Sequence, residues 1–158
     1  MNTLIIVSSL LIAPLLVSYI YGRFFKKPHL TRLGGIIGLS LSFLFFASGH
    51  FFIADKLILM LPEWIPARLL IIHLTGVVEI FIALALLTPQ LRFYAGICAI
   101  VVLITFFPAN IYASIQQLSF SGYAAGLSYL FIRAPLQALL IFWSWYFAVK
   151  PIAKKNHS

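Results

Sequence analysis

Only three acidic residues occur among 158, and one of them, Glu79, lies inside the apolar run from Leu69 to Leu87. That run is long enough to cross a bilayer, and an acid in mid-helix costs roughly 2.5–3.5 kcal/mol to insert. A carboxyl kept at that depth faces a protein interior or a wet cavity, where it can relay a proton or pair with a cation. The competing reading is a structural carboxyl bonded to a neighbouring helix.

Helical spacing gives Glu79 company. Ile72, Thr75, Gly76, Glu79 and Ala83 follow the three-four spacing of one face. Asn110, Ser114 and Gln117 share a face with Phe106 or Phe107, while Arg133, Gln137 and Ser144 align on another helix. His50 shares a face with Phe43, Phe46 and Ala47. Glu79 is the catalytic candidate, and His50, Thr75, Asn110, Arg133 and Gln137 are the ligand-binding candidates, as groups that hydrogen-bond oxygen atoms. Each also has a plainer reading. Arg133 can pair with Glu79 or snorkel to the headgroups, the amides can tie helices together, and the histidines can sit at the interface.

Other chemistries find less footing. Haem between His50 and His73 is weakened because His73 lies about 100° from Ile72 on the wheel, off the Glu79 stripe. There is no HExxH, acidic pair or cysteine cluster, so no metal site is expected. Cys98 is the only cysteine, which excludes an intramolecular disulfide or CxxC exchange.

The elements that must position these residues follow from composition. Hydrophobic residues make up 63% of the chain and charged residues 9%, against about 25% charged in soluble domains. Its solvent must be lipid. The apolar runs are continuous, which argues against a β-barrel. The expected fold is an all-α membrane protein, a helical bundle of five transmembrane spans: 4–21, 33–53, 69–87, 93–118 with Pro108 inside, and 127–149. Pro108 cannot bond back to the carbonyl of Ile104, which frees an acceptor at mid-membrane.

The net charge of +8 sits at the ends of spans, a pattern of membrane orientation and not of nucleic-acid binding. Arg23, Lys26, Lys27, Arg32, Arg92, Lys150, Lys154 and Lys155 fall on one side, and Lys56, Arg68 and Arg133 on the other. This places the N-terminus outside and the C-terminus in the cytoplasm, and the first span is read as retained. His50, His73, Asn110, Arg133 and Gln137 then share the outer half, with Glu79 deepest. They form an outward-opening polar pocket, while the inner half offers only Ser and Thr. The loop 54–67 contains an apolar stretch, 57–61, then Pro62, Trp64 and Pro66; it suits an interfacial anchor or a lid over the pocket. The loop 119–126 reads as short and flexible. Gly34 and Gly38 allow close helix approach.

Several short motifs then suggest a family. They are Ser48-Gly49-His50-Phe51, Leu61-Pro62-Glu63-Trp64-Ile65-Pro66, Leu74-Thr75-Gly76-Val77-Val78-Glu79-Ile80, Leu86-Leu87-Thr88-Pro89, Phe107-Pro108-Ala109-Asn110 and Arg133-Ala134-Pro135-Leu136-Gln137. In this order and spacing the chain resembles the DoxX-like integral membrane proteins over roughly 32–150. The resemblance implies a DoxX-like four-helix bundle at 32–150, preceded by an extra helix and basic cytoplasmic loop at 1–31 and followed by a basic tail at 151–158. It implies a redox-associated role, or that of a membrane chaperone, and a likeness to sterol-isomerase-like and sigma-receptor-like bundles that hold lipophilic ligands against buried carboxylates. It carries no family-wide catalytic set, but His50, Glu79, Asn110, Arg133 and Gln137 match its pattern.

Together these readings point to a bacterial inner-membrane protein that binds a quinone or similar lipophilic ligand, in contact with lipid and with a redox protein as possible partner. The alternative is a non-enzymatic chaperone or small subunit that docks a partner protein. A lipid-modifying or ion-handling role, with Glu79 and His50 or His73 as acid and base, ranks third.

Overall fold

The computed structural model describes residues 3–117 and 126–150. The loop 119–126, apart from Gly126, and the tail 151–158 with Lys154 and Lys155 lie outside the described residues. The chain is all-α: α1 (Thr3–Phe24), α2 (His29–Phe52), a short α3 (Ala54–Leu57) with a 3-10 turn (Ile58–Met60), α4 (Arg68–Leu87), α5 (Arg92–Ile115) and α6 (Leu127–Ser144), which ends in a π-helical turn (Trp145–Val149). Five of these helices are long and apolar enough to cross a membrane, with the π turn continuing the last.

Local chemistry sets the breaks. Lys26, in left-handed backbone at φ 54, closes α1, and Lys27 N–H bonds back to Gly22 O at 2.8 Å. Gln117, at φ 51, ends the turn after α5, so the fourth span stops a little short of the expected boundary. Gly126 starts α6 with φ 76 and ψ −140, a conformation that a side chain would oppose.

Helix α2 packs against α4, α4 against α5, α5 against α6, and α6 back against α2. These four helices close a ring, with α1 laid on the outside of α2. The α1–α2 contact is close because of two glycines. A Cβ at Gly34 would stand 2.5 Å from Pro14 O, and one at Gly38 would stand 2.8 Å from Leu10 O.

The half of the ring near the basic helix ends is packed solid. Ile36, Leu39 and Phe43 meet Ile82, Ala83 and Leu86, together with Ala99, Leu103 and Leu140. Its buried polar residues are serines whose hydroxyls are spent on backbone: Ser40 donates to Ala83 O at 2.8 Å and Ser42 to Gly38 O at 2.9 Å. Arg32 fastens this end by donating to Phe147 O at 2.8 Å and Lys150 O at 2.9 Å. There a cation meets the orphan carbonyls at the end of the last helix. The other half of the ring is not filled.

Candidate functional site

That unfilled half is a cavity of about 390 Å³. Glu79, His50, Thr75, Asn110, Arg133 and Gln137 all line it, so the ring gathers every expected site residue around one space. Apolar walls separate the polar groups, notably Phe45, Phe46, Phe106, Leu136 and Leu140. Leu57, Met60 and Leu61 cover it from the segment after α2, and Thr3 of α1 reaches it as well.

On the α2/α4 side, Glu79 is 4% exposed. Its Oε2 lies 3.4 Å from His50 Nε2, within ion-pair range, yet the atom is buried without a hydrogen-bond partner. Gly76 makes this proximity possible, since a Cβ there would stand 2.7 Å from His50 Cβ. The ring of His50 is held at its other nitrogen by Thr75, with Oγ1 3.1 Å from Nδ1. Thr75 Oγ1 is also 2.7 Å from Ile72 O, to which it donates. A hydroxyl has one hydrogen, and two oxygens at that separation need it between them. His50 Nδ1 must therefore be the donor to Thr75. It follows that Nε2 and Oε2 face one another with a single proton to share. Without it, two lone pairs would oppose each other in a dry site.

On the α5/α6 side the bonds run in one direction. Arg133 Nε donates to Tyr129 Oη at 3.2 Å, Tyr129 Oη donates to Asn110 Oδ1 at 3.1 Å, and Asn110 Nδ2 donates to Gln137 Oε1 at 3.2 Å. Gln137 Nε2 then donates to Leu103 O. Arginine can only donate and a carbonyl can only accept, so the two ends fix both amide orientations. The backbone contact is one residue from Ile104, whose carbonyl loses its usual donor to Pro108.

Some expectations change. The carboxyl contact of Glu79 is with His50 and not Arg133, because Gly76 brings α2 and α4 together while Arg133 is turned to Tyr129, over whose ring it also stands at 5.7 Å. His73 stacks on Phe51 at 5.6 Å and does not line the cavity, so no histidine pair faces across it. Gln117 is exposed past the end of α5 and leaves the cluster. Ser144 is buried against its own helix, donating to Leu140 O at 2.8 Å. The loop after α2 divides its roles: Met60 is buried with Ala113 and Tyr129 over the cavity, whereas Trp64 is 81% exposed.

Tyr129 is the site residue that the sequence reading passed over. It sits one turn before Arg133 on the same stripe, a signal masked because tyrosine reads as an apolar or interfacial residue in a membrane helix.

Residues 39–148 match the family model described as a domain of unknown function, DUF8561. No curated protein and no solved structure matches the chain.

Proposed function

The chain belongs to the DUF8561 family, a domain of unknown function, and from that premise we propose that it is an integral membrane protein whose cavity binds a quinone or similar lipophilic molecule and exchanges a proton with it. The observation that carries this reading is the buried Glu79 carboxyl, its Oε2 facing His50 Nε2 at 3.4 Å beside a 390 Å³ cavity that polar side chains from α2, α4, α5 and α6 line. Cavities of about 300–1,000 Å³ with apolar walls and few convergent polar groups are typical of small-molecule sites.

A bound quinone would supply the redox chemistry, with electrons drawn from a partner redox protein. The chain's own part is narrower. Arg133, Asn110 and Gln137 hold an oxygen atom, Thr75 fixes the His50 ring, and Glu79 Oε2 with His50 Nε2 holds the proton to be exchanged. A relation to the DoxX-like proteins belongs to this proposal and is supported by the order and spacing of the motifs around His50, Glu79, Asn110 and Arg133.

The same proposal includes orientation. The chain sits in a bacterial inner membrane with the N-terminus outside and the cavity in the outer half, supported by the basic residues at the opposite end, among them Arg32, Arg92 and Lys150. In a Cys98→Ala background, Trp64→Cys should react with a membrane-impermeant maleimide on intact cells; labelling only after lysis reverses the orientation.

The functional test is Glu79→Gln. The variant should purify folded, with ligand-coupled proton uptake lost when a short-chain quinone is reduced by an added two-electron reductant in the presence of protein in nanodiscs. Uptake equal to that of the unmodified protein counts against Glu79. Mass spectrometry of lipids co-purifying with the unmodified protein identifies the native ligand.

A further inference from the structure

The basic end of the bundle, opposite the cavity, gathers cations from α2, α5 and the end of α6. Arg32 of α2 donates to Phe147 O at 2.8 Å and to Lys150 O at 2.9 Å, which holds it against the π-helical turn. Arg92 opens α5, and Gly96, one turn further on, lies tight against the same turn. A Cβ at Gly96 would stand 2.7 Å from Ala148 Cβ. Arg92 is near enough to Arg32 to feel its charge. It donates through Nε to Leu86 O at 3.2 Å, and both of its terminal nitrogens are without a bond among the described residues. Lys150 N bonds to Trp145 O at 2.7 Å, and the Lys150 ammonium lies over the exposed rings of Trp145 and Tyr146, at 5.5 and 5.2 Å.

The acidic side chains of the chain are elsewhere. Asp55 and Glu63 lie in the segment between α2 and α4, at the other end, and Glu79 is in the cavity wall. Among the described residues, no carboxylate pairs with Arg32, Arg92 or Lys150. Arg32 and Arg92 are half-buried, and a partly buried cation is costly unless an anion faces it. The backbone carbonyls that they meet supply dipoles and no net charge. Trp and Tyr rings settle at headgroup level, so Trp145 and Tyr146 set the depth of the Lys150 ammonium there. We propose that this end is a headgroup site for an anionic phospholipid. Its phosphate sits against the terminal nitrogens of Arg92 and the Lys150 ammonium, with Arg32 behind them, and its chains run past Trp145 and Tyr146. A phosphate dissolved in water brings the same anion without the chains that the exposed rings would flank. The site is separate from the cavity and does not rest on what the cavity binds.

Tryptophan fluorescence tests it. Trp64→Phe removes the tryptophan of the opposite end and leaves Trp143 and Trp145 as reporters at this one. The full chain is placed in phosphatidylcholine bilayers that contain a rising fraction of brominated phosphatidylglycerol or, in parallel, of brominated phosphatidylcholine. Quenching by bromine then gives the relative affinity for the two lipids. Phosphatidylglycerol should be preferred by at least about fivefold, the effect of one basic residue at an anionic lipid surface. Arg92→Gln with Lys150→Gln should make the two lipids equal, although Arg23, Lys26 and Lys27 keep that end basic. Arg92→Lys with Lys150→Arg keeps both charges and should retain the preference; its loss there as well would trace the effect to packing and overturn the headgroup contact. Equal quenching by the two lipids in the Trp64→Phe chain overturns the site. A preference that survives the double glutamine change does so too, since it would belong to a diffuse basic collar. Excess inorganic phosphate at matched ionic strength should leave the preference in place. If phosphate abolishes it, the anion is water-borne and the lipid assignment falls.

Discussion

Gly76 holds no chemistry, yet the His50–Glu79 contact depends on it. A side chain there would press on His50 Cβ from 2.7 Å and on the Phe51 ring from 3.0 Å. Gly76→Val should separate α2 from α4 and destabilise the protein by about 1–3 kcal/mol, the usual cost of overpacking. Gly49→Ala is the control, because a Cβ there meets nothing nearer than 3.9 Å. Thermal unfolding in detergent should show a lowered midpoint for the first and an unchanged one for the second. Thr75 acts through His50 in the same manner. Thr75→Val should leave the fold near native and release the ring, so that 15N spectra of His50 show mixed tautomers where the unmodified protein shows one. Glu79, His50, Asn110, Arg133 and Gln137 were legible from the sequence because polar residues are rare in membrane helices and helical spacing sorts them by face. Their bonds were not legible. Which of His50 and Arg133 meets Glu79 depends on the approach of whole helices, which a single wheel does not contain.

Among the elements, the segment between α2 and α4 decides how the cavity is covered. It reads in sequence as one external loop, and folding makes it two things: an apolar cap at Leu57–Leu61 and an exposed Trp64. It joins α4 through Ala67, held in left-handed backbone at φ 51, a conformation that costs an alanine roughly 1–2 kcal/mol. Ala67→Gly should relieve that cost, offset in part by glycine's greater freedom when unfolded, and raise stability by about 0.5–1 kcal/mol. A lowered thermal midpoint would mean that the cap draws on some other constraint at this joint. The five spans were readable because length and apolarity alone distinguish them. The cap was only half readable, since Met60 is buried by Ala113 and Tyr129, partners about 50 and 70 residues along the chain.

The whole molecule is a ring of four helices with a fifth outside it, solid at one end and hollow at the other. Because α1 touches the ring through α2, it can be loosened without emptying the cavity. Gly38→Leu should lift α1, since a Cβ alone would already stand 2.9 Å from Leu11 O. In a Cys98→Ala background, Val7→Cys, fully buried in the native packing, should then become reactive to maleimide while the proposed ligand binding persists. Loss of binding would make α1, through Thr3, part of the site.

The grip of Arg32 on Phe147 and Lys150 joins residues more than a hundred positions apart. Such a bond cannot form until the last helix has left the ribosome and entered the bilayer. Until then Glu79 has its α2/α4 wall with His50 but faces an open arc in which the last helix is not yet seated. The ring therefore closes late, and Arg32 is its latch. Nascent chains arrested before Phe147 should present the carboxyl side to whatever membrane factor shields unfinished bundles.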